Sequence, residues 1–276
     1  MKRLNLVIAA LAAMVSLPVM AASSASASLG PITVTLFDLD PFDAIAPSIT
    51  FAGPGMGSDS YVNTWASEAI PSGGSNSPLG GGAPWAPVST SDTAGGASAS
   101  ASISGPGMAS LTSVSASGSA ADVFGPPTNN AQYYGVAHPM LGYSSFALTA
   151  KTLLIISAPA SIAAAASGPA GYYSHYASAD VYLSLHGPGA SGGGSQSSVD
   201  QLAYTNYAYN SSFSHTDSRL LGASFVNLTT GPLSGYLYNY SAVYGLTSAP
   251  VPEPGTYAML LAGLGLVGSM VRRRRS

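Results

Sequence analysis

Apolar and polar residues alternate with a period of two through most of this chain, as expected of strands with one buried face. LGPITVTLFDL at 29–39 starts the pattern with β-branched residues, and Tyr61, Val62 and Asn63 form a short further candidate. Ala97, Ala99, Ala101 and Ile103 alternate with Ser98, Ser100, Ser102 and Ser104, predicting one small apolar face and one hydroxyl face. A turn at Gly105-Pro106-Gly107 leads to a predicted return strand over 109–118. Phe146, Leu148, Leu154, Ile156, Ala158, Ala160 and Ile162 share parity, so they occupy one face if strand geometry runs through Lys151 and Thr152. Ala177, Ala179, Val181, Leu183 and Leu185 do the same, with Ser178, Asp180, Tyr182, Ser184 and His186 opposite. Segments 220–229 and 235–247 complete the set, the second carrying Tyr236, Tyr238, Tyr240, Ala242, Tyr244 and Leu246 on one face.

No segment of the body shows a useful 3.6-residue period; the alanine-rich run at 162–166 is short and closed by Gly168-Pro169. Gly-Pro occurs seven times, and each copy ends a ladder because proline lacks the donor that a paired strand requires. The expected fold class is therefore all-β, an antiparallel β-sandwich of jelly-roll-like order. Residues 71–96, rich in Pro, Gly and Ser, are expected to be a flexible loop with too little apolar surface to offset ordering entropy.

Both ends depart from this pattern. Met1-Lys2-Arg3 precedes an apolar run from Leu4 to Val19, which reads as a signal peptide over 1–27. Val19-Met20-Ala21 and Ala25-Ser26-Ala27 both fit a signal peptidase cleavage site, placing the mature start between Ala22 and Ser28. The body then spans 28–249. Residues 251–276 begin with Val251, Pro252, Glu253 and Pro254, continue through an uncharged stretch from Gly255 to Val271, and finish on Arg272, Arg273, Arg274 and Arg275 before Ser276. About 17 residues span roughly 26 Å as a helix, just enough for a single transmembrane helix across a ~30 Å hydrocarbon core. Four arginines hold that end on the cytoplasmic side. A plain tail anchor is the competing reading.

Motif, span and basic cluster in this order resemble the PEP-CTERM sorting signal of Gram-negative bacteria that make exopolysaccharide. The resemblance implies that the membrane enzyme exosortase recognises the signal and cuts near the motif, leaving a mature end near Pro252. It also implies transient anchoring in the inner membrane, then a cell-surface or extracellular destination near the biofilm matrix.

Charge sharpens the picture of the body. Six of eight basic residues lie in the two ends, leaving Lys151 and Arg219 against ten acidic residues, a net charge of about −8. Binding to nucleic acid, or to an anionic surface through a basic patch, is excluded on that balance. With no cysteine, an exported chain relies on its core and backbone ladders, and thiol chemistry is absent.

Candidate chemistry is sparse. Gly189-Ala190-Ser191-Gly192-Gly193 matches G-x-S-x-G, but lies in a Gly/Ser tract without the strand-to-helix elbow such a nucleophile needs. His138, His175, His186 and His215 form no short-spaced pair, so any metal site would have to assemble across strands. Asp38, Asp40 and Asp43 are the only acidic cluster. Their oxygens suit calcium, but the spacing lacks the glycine turn and distal glutamate of a calcium loop, and a solvated strand end is the simpler reading. Tyr236, Tyr238, Tyr240 and Tyr244 have two readings: core filling in a sandwich poor in Leu and Ile, which is the expectation, or an outer stripe that stacks on sugar rings. Asn210, Asn227 and Asn239 stand in glycosylation-type sequons.

The expected function is that of a non-enzymatic exported protein, without cofactor or resident metal, processed by signal peptidase and exosortase and associated with exopolysaccharide. A carbohydrate-binding module or a polysaccharide-active enzyme is the alternative. Glycoside hydrolysis usually needs paired carboxylates, and Glu68 is the only glutamate before Glu253.

Overall fold

A computed structural model describes residues 22–51, 59–66, 72–76, 87–94, 96–105, 113–121, 130–139, 144–167, 175–208, 212–248 and 262–265. Fifteen strands are present among them: β1 (Ala22–Leu29), β2 (Thr33–Asp38), β3 (Ile49–Phe51), β4 (Asp59–Ala66), β5 (Ser72–Asn76), β6 (Val88–Ala94), β7 (Ala97–Ser104), β8 (Ser113–Ala121), β9 (Asn130–His138), β10 (Ser144–Leu148), β11 (Thr152–Ser167), β12 (His175–Pro188), β13 (Ser195–Ala208), β14 (Phe213–Asn227) and β15 (Leu233–Ser248). The first sheet runs β14-β11-β1-β8-β7-β6, with β2 also beside β11. The second runs β13-β12-β15-β9-β4-β5, with β10 beside β15 and β3 beside β10. The two antiparallel sheets bear out an all-β fold, while the jelly-roll-like order is a finer statement that this pairing does not establish.

The alternation translates directly into burial. In β7 the alanines and Ile103 are buried and the serines lie outward; in β12 Ala177 to Leu185 face in and the even-numbered residues face out. The core between the sheets joins Leu29, Ile103, Leu154, Ile156, Leu183, Leu185, Phe146 and Phe225 to many alanines from β1, β7, β8, β11 and β12.

The strand pattern bears on three expectations. The boundary between 27 and 28 falls inside β1, whose Ala22–Leu29 pairs with β11 on one side and β8 on the other. Ala/Ser alternation, which suits a peptidase site, also suits an interior strand: Ala25, Ala27 and Leu29 are buried while Ser24 and Ser26 lie outside. The shared parity of 146–162 does not mark one strand. Lys151 adopts φ 50, and the turn it closes sends β10 to the second sheet and β11 to the first. Parity survives because both strands point their apolar residues into the same core. The interval 71–96 contains β5 and β6, and β6 pairs with β7 along its whole length. Backbone ladders and hydroxyls, with Thr64 Oγ1 donating to Asp92 at 2.7 Å, hold these two strands although they have little apolar surface, and residues 77–86 between them lie outside the described residues.

One edge of the sandwich is closed by side chains. β14 borders the first sheet, and its outward amides at Gly222, Ser224 and Val226 donate to Asp200 Oδ2, Ser198 Oγ and Gln196 Oε1, each at 3.0 Å. These three acceptors alternate along β13, the edge of the other sheet, so a row of side chains substitutes for a missing strand. Arg219 adds an ion pair to Asp200 at 2.8 Å.

Residues 262–265 are helical. The remainder of the expected transmembrane span, the PEP triplet, the arginine cluster and residues 1–21 of the expected signal peptide lie outside the described residues. Among the described residues no helix is long and apolar enough to cross a membrane.

Candidate functional site

The outer face of the second sheet concentrates aromatic side chains. In β15 the odd-numbered residues Leu233, Leu237, Asn239, Ser241 and Val243 are buried, which turns Tyr236, Tyr238, Tyr240 and Tyr244 outward. The core-filling expectation is thus wrong for this stripe. It holds instead for Tyr133, fully buried, whose ring occupies the space left by Gly118 of the first sheet and Gly245 of the neighbouring strand. A Cβ at either glycine would stand 2.1–2.2 Å from that ring.

Register explains the clustering. β12 pairs with β15 so that Tyr182 lies opposite Tyr240 and Ser184 opposite Tyr238. The Tyr182 and Tyr240 rings are near-parallel, 9° apart with centroids at 5.4 Å. Tyr238 stands 5.7 Å from each of them. His138 on β9 completes the group, 6.1 Å from Tyr238 and 5.6 Å from Tyr240. A second group lies further along the same strands, with Tyr176 4.5 Å from Tyr207 and 5.2 Å from Tyr244. Tyr240 and Tyr244 are four residues apart, so the groups are separated by about 14 Å at 3.4 Å per residue.

A polar edge accompanies the first group. The Tyr240 hydroxyl donates to Asp180 Oδ2 at 2.7 Å, and the Gln201 amide donates to both Asp180 oxygens at 2.9 and 3.0 Å. Burial raises the Tyr240 proton affinity, and its bond to Asp180 and that residue's charge raise it further. The phenol therefore remains a donor through the alkaline range. Tyr244 is also shifted upward, by burial first and then by Tyr176 and Tyr207.

The outer face of the first sheet is different. Ser98, Ser100 and Ser102 bond to Ser119, Ser117 and Ser115 at 2.9, 2.7 and 2.8 Å, and Ser28 bonds to Ser161 at 2.7 Å. These hydroxyls are engaged with one another across strands, and this part of the face carries small side chains in place of rings, while Phe37, Ile155 and Leu220 are exposed further along it on β2, β11 and β14.

The remaining candidates are held by local structure. The Asp38, Asp40 and Asp43 carboxylates accept the amides of Asp40, Phe42 and Ile45 at 2.9, 3.4 and 2.7 Å, so each fixes a turn two residues on. Among the described residues no group of three His, Asp or Glu side chains is placed to hold a metal. Ser191 stands in the β12–β13 hairpin connection, where Gly192 and Gly194 take φ 86 and 72, and an antiparallel strand follows instead of a helix. The histidines do not converge: His186 bonds to Ser184 and Ser197, His215 stacks on Tyr204 at 3.9 Å, and His175 is buried. Asn227 and Asn239 are buried, at 0 % and 3 % exposure, which withdraws both from glycosylation. The Asn227 amide donates to the carbonyls of Leu148, Thr149 and Gly231, tying the ends of β10 and β14 to the loop before β15. Asn210 lies outside the described residues.

Sequence parity therefore identified the tyrosine stripe, and missed Tyr182, His138, Asp180 and Gln201 beside it. The available signal was the alternation of β12, which placed Asp180 and Tyr182 on one face, but cross-strand register was needed to join them to β15.

Residues 250–275 match the family model described as the PEP-CTERM protein-sorting motif. No curated protein matches the chain. The motif marks an exported protein that exosortase sorts in Gram-negative bacteria.

Proposed function

We propose that this exosortase substrate is a non-enzymatic surface protein, released from its C-terminal anchor to lie in or near the exopolysaccharide matrix. The sorting motif at 250–275 is the observation that carries this reading. The body is suited to such a place: a disulfide-free sandwich whose two outer faces present hydroxyls and phenols, with a net charge of about −8. Exported processing fits the strand pattern best with cleavage after Ala21, since β1 is then delivered whole. Cleavage after Ala27 would remove six of its eight residues, including Ser23, whose hydroxyl bonds to buried Tyr133 at 3.2 Å.

Intact-mass measurement of protein from the extracellular fraction tests the reading. The expected species begins at Ala22 and ends near Pro252. Recovery of the chain only inside the cell, or with Arg272–Arg275 retained in the extracellular fraction, overturns it. Assaying the secreted protein on the host's own polysaccharide, with body carboxylates replaced one at a time, tests the non-enzymatic part. Product release that depends on a carboxylate defeats it.

A further inference from the structure

The aromatic groups on the second sheet's outer face have a composition that the fold does not require. Over β1, β7 and β8 the first sheet's outer face is mostly serine, and the same sandwich places Tyr176, Tyr182, Tyr207, Tyr236, Tyr238, Tyr240 and Tyr244 on the other sheet. Tyr207 is 51 % exposed and Tyr236 46 % exposed, each a substantial apolar area left in water. Rings at the surface with a carboxylate and an amide at their margin are the composition of a site that orients a ligand by a few polar groups and binds it by flat contact. The flat apolar faces of sugar rings fit phenols, and sugar hydroxyls fit Asp180 and Gln201.

Charge narrows the ligand further. The described outward residues of β9, β12, β13 and β15 include Asp180 and no lysine or arginine. Of the body's two cations, Lys151 donates to the Leu228 carbonyl at 2.7 Å, while Arg219 pairs with Asp200 and also donates to the Gln201 carbonyl at the margin of this face. A polymer with a carboxylate or sulfate on each repeat would meet a face carrying Asp180, with Arg219 at its margin already paired to Asp200. Two ring groups about 14 Å apart along the strands further suit an extended chain over a single sugar.

We propose that the face formed by Tyr182, Tyr238, Tyr240 and His138, extended by Tyr176 and Tyr244, binds a polysaccharide chain free of uronate and sulfate, with Asp180 and Gln201 bonding to its hydroxyls. This names the matrix partner of the protein and rests on the surface reading above.

The test is affinity gel electrophoresis of the full-length protein in mild detergent, with hydroxyethylcellulose, galactomannan or dextran in one set of gels and alginate or polygalacturonate in another. At least one neutral polymer is expected to retard migration, and the uronate polymers are not. Tyr182→Ala and Tyr238→Ala are expected to weaken retardation about tenfold, while Tyr182→Phe, which keeps the ring, retains most of it. Thermal unfolding of each variant separates lost binding from lost fold, and the Phe variant keeps the test valid should an Ala variant misfold. Asp180→Asn, which removes the charge and a strong acceptor for sugar hydroxyls, is expected to weaken retardation by the neutral polymer and to reduce discrimination against alginate. Retardation by no neutral polymer, stronger retardation by alginate, or unchanged retardation in both Ala variants overturns the proposal. If the protein is still found extracellular with the expected ends, the surface reading survives that failure.

Discussion

Where β11 begins, Leu154 and Ile156 share the core with Phe146, Phe225, Leu183 and Leu185; where it ends, Ala164 and Ala166 share it with Ala25, Ala97, Ala99, Ala177 and Ala179. The first end is filled in the usual way, by branched and aromatic side chains, with the Phe146 and Phe225 rings edge-on at 5.1 Å. The second has few side-chain atoms to contribute, so the backbones themselves close the gap. Cα atoms of β7 and β8 come within 8 Å of those of β9 across the core, nearer than the ~10 Å usual between stacked sheets. Tyr133 is the fully buried ring among the described residues at that end, and two glycines make room for it. A sandwich can thus be stabilised with little Leu and Ile, provided that its small residues sit opposite one another and its rare large ones sit opposite nothing.

Substitutions separate the two modes. Phe225→Ala should have the largest effect, about 3–5 kcal/mol, because it leaves a cavity among rigid neighbours; urea unfolding measures it, and a loss under 1 kcal/mol would show that the large-residue end collapses freely. Gly118→Ala should cost about 1–3 kcal/mol although it adds a single methyl, since the new atom meets the Tyr133 ring. The same change at Gly231, where nothing lies within 4 Å, should be close to neutral. Combining Gly118→Ala with Tyr133→Leu should cost less than the sum of the two single changes; strict additivity would contradict the shared space. Gln196→Ala should cost about 1–2 kcal/mol, since it removes both bonds to Val226 on the closed edge. The last effect vanishes at neutral pH. Burial raises the Tyr133 proton affinity, only partly offset by its bond to Ser23, so its neutral form is favoured in the fold. That contribution is complete below about pH 10, where an unfolded tyrosine ionises, and is lost as pH climbs towards the folded value. Phenolate absorbance should therefore appear in two phases, the late one together with unfolding and diminished in Tyr133→Phe.

Much of the fold could be read from alternation alone, because period two fixes which residues share a face whatever the partner strand. The buried rows Ala97–Ile103 and Ala177–Leu185 are of this kind. What alternation lacks is the sign of the face and the identity of the neighbour. Tyr236–Tyr244 could have pointed either way, and the choice was made by the opposite parity set, where Gly245 must admit the ring of Tyr133 from β9. Parity also cannot detect a change of sheet at Thr149–Lys151, since both sheets face one core. At β1 the difficulty was one of shared vocabulary: small alternating residues satisfy a peptidase and a closely packed strand equally well. The tyrosine group was half legible for the same reason, its β15 members visible in one segment and its β9, β12 and β13 members supplied by register.

β1 also sets a schedule. It is the first described strand to be synthesised and occupies the interior of the first sheet, yet Ala22 pairs with Ala121 on one side and Ser167 on the other. Ala121 is not made until 99 residues after Ala22 (121 − 22), Ser167 comes later still, and β11 itself must await β14 for its outer edge. Such long sequence separation makes closure slow and late. The chain thus remains without its central sheet while most of it is being delivered, a kinetic latency suited to a polypeptide threaded through a narrow conduit before it takes shape.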